Sequence, residues 1–141
     1  MSWNPKFDLD LKFGQVGEQW LKTLGAPGGI KIEVKTERDQ WFATGNLVFE
    51  FRCRGKPSGV STTEADFWVQ ILSKDGAVYG IFGWPTAQLK AFLRLVAKRP
   101  GDYGARLVHG GDDKASEMLV IPISQLHKVN TTEILLSLIH I

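Results

Sequence analysis

Cysteine is almost missing from this chain, with Cys53 the only one among 141 residues. A disulfide framework needs two or more cysteines and a cysteine-rich zinc site needs several, so both are excluded. Histidine is scarce too, and its three copies are scattered with no H-x-x-x-H pair to hold zinc from a helix face. No apolar run approaches the roughly 20 residues that a membrane-spanning helix requires. The opening Met1-Ser2-Trp3-Asn4-Pro5-Lys6 lacks the apolar stretch of a signal peptide. These absences predict a soluble protein of the cytoplasm with no membrane partner. A large excess of one charge is lacking as well: the formal net charge is only +2. Nucleic-acid binding therefore has to be argued from where the cations lie.

Hydrophobic residues make up 43% of the chain, enough for one domain with a real core. We expect that domain to span residues 1–135. The last six residues, Leu136-Ser137-Leu138-Ile139-His140-Ile141, read like the translation of a transposon-end sequencing adapter, and His140 is set aside on that ground.

Periodicity predicts a mixed α/β chain. Val16, Trp20, Leu21 and Leu24 fall at helical spacing over residues 14–24, stopped by Gly25 and Pro27-Gly28-Gly29. Two strands follow. In Ile30–Lys35, Ile32 and Val34 take one face while Lys31, Glu33 and Lys35 take the other. In Leu47–Arg52, Leu47, Phe49 and Phe51 share a face, and Glu50 and Arg52 point the opposite way. Ser61, Thr62 or Thr63 is placed to cap a short helical turn through Asp66. Phe67–Leu72 is apolar enough for a central strand, and Asp75-Gly76 marks a hairpin turn into Ala77–Phe82. A helix is predicted from Pro85-Thr86, with Leu89, Phe92, Leu93 and Val96 as its buried stripe and Lys98-Arg99-Pro100-Gly101 as its end. Arg106–His109 and Met118–Ile121 read as late strands, and Ser124–Val129 as a last helical turn.

If the strands holding Glu33 and Glu50 pair as neighbours, two carboxylates and Lys35 meet on one side of a sheet. Mg²⁺ favours such a site, taking one or two carboxylates with water and phosphate oxygens. Phosphodiester hydrolysis needs an activated water, charge neutralised on phosphorus and a stabilised leaving oxygen, and a metal ion can serve all three. Lys35 could orient or deprotonate the water or steady the phosphate, and Glu18 could add a third acid from the early helix. Taken alone, an E-x-K triplet on a strand is more commonly just a solvated face with charge pairing. Glu18 in a first helical turn is also favourable through the helix dipole alone. Arg52, Arg54 and Lys56 run into a turn with Gly55, Pro57, Ser58 and Gly59, which suits contact with a phosphate backbone or simply makes a polar turn. Gly110–Ser116 lacks the phosphate-loop pattern.

Taken in order, Gly14-Gln15-Val16-Gly17-Glu18, Glu33-Val34-Lys35-Thr36, Thr44–Glu50, Arg54–Gly59 and Thr62–Trp68 resemble the PD-(D/E)xK nuclease superfamily, in particular phage endonucleases and Holliday junction resolvases. The resemblance implies a single-domain restriction-endonuclease-like α/β fold, with a central mixed sheet flanked by helices. It also implies a Mg²⁺-dependent DNA endonuclease, with Mn²⁺ as a substitute, cutting branched or four-way DNA. Carried over, Glu18, Glu33, Lys35 and Glu50 would be catalytic, Glu18, Glu33 and Glu50 metal-binding, and Arg52, Arg54, Lys56 and Ser58 DNA-binding. One departure stands out: no acid-bearing strand lies between Glu18 and Glu33, where the family places its Asp. Either Glu50 supplies that acid, or Glu33 takes its place and Glu50 with Arg52 form a modified E-x-K. Paired opposed cuts on a junction imply a twofold homodimer. A restriction- or repair-like endonuclease, and an inactive DNA-binding module on the same fold, are the alternatives.

Overall fold

A computed structural model of the chain describes residues 29–130, so the early helix with Glu18 and the final residues lie outside the described residues. The described chain is mixed α/β and holds two sheets. It divides into two compact units that interleave in sequence: residues 29–39 with Glu64–Thr86, and Gln40–Thr63 with residues 87–130.

The first unit is a three-stranded sheet in the order β1-β4-β5, formed by β1 (Ile32–Arg38), β4 (Phe67–Lys74) and β5 (Ala77–Pro85). β4 is central, as its apolar run predicts, and Trp68, Gln70, Ile71 and Leu72 are all buried. β1 runs parallel to it, while β5 is antiparallel across the Asp75-Gly76 turn. Both turn residues have positive φ, 52° and 78°, the type I′ geometry whose twist matches that of its flanking strands. Asp39 fastens the far end of β1: its N–H donates to the Ser73 carbonyl at 3.0 Å, and its Oδ1 accepts from the Asp75 N–H at 3.0 Å. Asp66 fastens the near end, with Oδ2 accepting from the Lys31 N–H at 2.9 Å. That bond, and the 3₁₀ turn ending at Ser61, replace the helical turn expected through Asp66.

The second unit opens with the one-turn helix α1 (Gln40–Thr44), followed by β2 (Asn46–Cys53) and the two-residue β3 (Lys56–Pro57). The helix α2 (Thr86–Lys98) joins the units and enters this one at Ala87. β6 (Arg106–Gly110) and β7 (Ser116–Pro122) complete an antiparallel sheet in the order β3-β2-β7-β6. Leu47 opposes Ile121 and Phe49 opposes Leu119, and all four are buried. On α2 the predicted stripe of Leu89, Phe92, Leu93 and Val96 is buried, each such side chain contributing about 1.5–3 kcal/mol. Phe92 meets Tyr103 edge-on at 5.7 Å. A 3₁₀ segment, Ile123–Asn130, stands where a last helical turn was expected and buries Leu126 and Val129. Among the described residues no helix is long and apolar enough to cross a membrane.

Two expectations are corrected. The single central sheet is absent among the described residues, which form two sheets. The predicted neighbours β1 and β2 do not pair: β1 takes β4, and β2 takes β3 and β7. A period-two pattern assigns faces but not partners. Here the Asp39 anchors tie β1 to the β4–β5 turn, and α1 begins at the next residue.

Candidate functional site

Glu33 and Lys35 lie on one face of β1, as alternation requires, with Oε1 and Nζ 3.8 Å apart and side chains 39% and 51% exposed. That face is not purely polar. Glu33 stands beside Trp68, Lys35 beside Gln70 and Glu37 beside Leu72, so the same face carries three buried side chains on β4. A hydrogen-bond chain crosses it. The Trp68 indole N–H donates to Gln70 Oε1 at 2.8 Å, and Gln70 Nε2 donates to Glu37 Oε1 at 2.9 Å. Gln70, only 2% exposed, thus satisfies both ends of its amide at once.

Glu50 belongs to the other unit, on β2. Its Oε1 accepts from the Ser116 hydroxyl at 2.6 Å, and Ser116 also lies 3.8 Å from Cys53 Sγ. Arg52 is paired elsewhere, with Nη1 3.3 Å from Glu117 Oε2. The register explains this split. Glu50 opposes Met118, but Arg52 opposes Glu117 and Cys53 opposes Ser116, so β2 carries one extra residue, Phe51. Such a bulge shifts the alternation by one step and sends Glu50 and Arg52 to opposite faces. The expectation that they share a face, on which a modified E-x-K would rest, is therefore corrected.

The bulge is held from outside. The Ser58 N–H donates to the Phe51 carbonyl at 3.1 Å, capping the group that the extra residue frees. Gly59, at φ 54°, lies so close to β2 that a Cβ there would collide with the Glu50 carbonyl oxygen. Between them, Arg54 and Gly55 form a second type I′ turn with φ of 52° and 77°. The basic stretch is thus a tight hairpin. Arg54 and Lys56 stand exposed on it, without an ion pair or hydrogen bond from either side chain to any described residue, whereas Arg52 is engaged by Glu117. Ser58 is half-buried, and its hydroxyl has no hydrogen-bond partner among the described residues.

Glu33 and Glu50 are oxygen donors of the hard kind that Mg²⁺ takes. Strand pairing does not bring them together, and Glu18 lies outside the described residues. Among the described residues no three His, Cys, Asp or Glu side chains group closely enough to hold a metal ion. The donor chemistry suits magnesium, but the described residues do not assemble the expected set. Ser116, Glu117 and Glu37 escaped the sequence reading because each is held by a partner 33 or more residues away, and Gln70 because its bond to Glu37 spans the same distance. The chain matches no family model, no curated protein and no solved structure.

Proposed function

We propose that this chain is a metal-dependent endodeoxyribonuclease of the restriction-endonuclease-like class, acting on branched DNA in the manner of a junction resolvase and working as a homodimer. The observation that carries the reading is the Glu33–Lys35 pair, an acid and an amine on one strand face, 3.8 Å apart and open to solvent. An E-x-K pair set this way puts an oxygen donor and a proton-carrying cation within reach of a single phosphate. The Arg54–Lys56 hairpin adds cations for the DNA backbone, and its tight turn fixes where they project. Magnesium, or manganese in its place, would supply charge neutralisation at the phosphate when bound.

A second reading, a DNA-binding module without hydrolysis, is favoured by the placement of Glu33 and Glu50 on strands of different sheets. Cleavage of a four-way junction and of a linear duplex, with and without Mg²⁺, by wild type and by Glu33→Ala decides between the two. Metal-dependent cutting lost in the variant supports the nuclease. Equal cutting by both proteins removes Glu33 from the site. Binding without cutting by wild type establishes the module. A preference for the linear duplex points to a restriction- or repair-like enzyme.

A further inference from the structure

In the second unit a cavity of about 360 Å³ opens between α2 and the sheet. Its floor is apolar: Phe49 and Phe51 from β2, Leu119 from β7 and Leu93 from α2. Its rim is cationic. Lys90 and Arg94, one helical turn apart on α2, both line it, and among the described residues no carboxylate does. Lys90 donates one hydrogen bond, to the Thr63 carbonyl at 3.2 Å, which leaves two ammonium protons. The exposed Arg94 side chain has no hydrogen-bond or ion-pair partner among the described residues.

Two cations on one wall, with no carboxylate among the described lining residues, complement an anion, while the floor complements an apolar body. We propose that this cavity binds a small organic anion: a one- or two-ring aromatic or comparable aliphatic body carrying a single carboxylate, sulfonate or phosphate. Size sets the class, since a cavity of about 150 Å³ already admits benzene and ligand pockets begin near 300 Å³. The body rests on Phe49, Phe51 and Leu93, and the anion lies between Arg94 and Lys90. Phe49 and Phe51 reach this side together, as alternation along β2 places residues 49 and 51. The inference stands apart from the nuclease reading and uses none of its residues.

Naphthalene-2-sulfonate is a suitable probe, titrated into the full chain by calorimetry beside neutral naphthalene-2-sulfonamide and inorganic sulfate. Saturable 1:1 binding of the sulfonate is expected, with both controls at least about tenfold weaker. Arg94→Gln should weaken the sulfonate about fivefold to tenfold, as loss of one charge-assisted hydrogen bond does. Ala97→Trp should abolish binding with thermal unfolding unchanged, since Ala97 lines the cavity yet is exposed. The proposal is overturned if the sulfonamide binds as well as the sulfonate, if sulfate does so, if no saturable binding occurs, or if both variants bind like wild type.

Discussion

Glu50 and Arg52, two residues apart on β2, face opposite sides of their sheet: one is held by Ser116, the other by Glu117. An unbroken strand would align them. The extra residue between them, Phe51, is kept in place by Ser58 and by the close approach of Gly59.

Gly59 is therefore the residue on which this local geometry rests. Gly59→Ala combines a left-handed φ with a collision against the Glu50 carbonyl, and should cost about 1–3 kcal/mol. Gly101→Ala is the control, because a Cβ there meets nothing within 4 Å. Urea unfolding of both variants measures the difference. Equal midpoints would show that the 58–59 segment yields freely.

Gln70 links the Trp68 indole to the Glu37 carboxylate from a buried position. Gln70→Leu leaves the indole N–H without its acceptor and should destabilise by about 1–3 kcal/mol. Adding Trp68→Phe to that variant removes the stranded donor. The double variant should then lose less than the sum of the two single changes, by about 0.5 kcal/mol or more. Strict additivity in denaturant melts would place the stabilisation elsewhere.

The hairpin cations should differ in their effect on DNA. If the chain binds DNA as proposed, Arg54→Ala and Lys56→Ala should each flatten the dependence of log affinity on log salt by about 0.9, one released counterion apiece. Arg52→Ala should change that slope less, because Glu117 already occupies its guanidinium. Fluorescence anisotropy across a salt series reads all three. The largest change from Arg52→Ala would reverse the assignment.

Local signals in this sequence were legible and long-range ones were not. The α2 stripe, the Asp75-Gly76 turn and the central position of β4 follow from helical spacing, turn stereochemistry and a two-faced apolar run, each contained in a few neighbouring residues. The partner of β1 was hidden. Its alternation fits β2 as well as β4, and what favours β4 is hydrogen bonding by Asp39 to residues 73 and 75. The bulge at Phe51 was equally hidden, since Glu50-Phe51-Arg52 alternates perfectly on paper. Its only trace in the sequence is Ser58-Gly59, which reads as a flexible loop until it is seen against the Glu50 backbone. The E-x-K pair was read correctly as sharing a face, whereas its buried companions Trp68 and Gln70 come from a strand more than 30 residues on.

The interleaving of the two units bears on how the chain can be divided. The chain passes from one to the other after residues 39, 63 and 86, so no single cut releases either of them whole. During synthesis β1 emerges before β4, its parallel mate, and the entire β2–β3 hairpin is made in between. Gene truncation or simple fusion cannot swap one half for another. Any attempt to dissect this protein into parts must rejoin 39 to 64 for the first unit, or 63 to 87 for the second, with a new linker, or keep the chain intact.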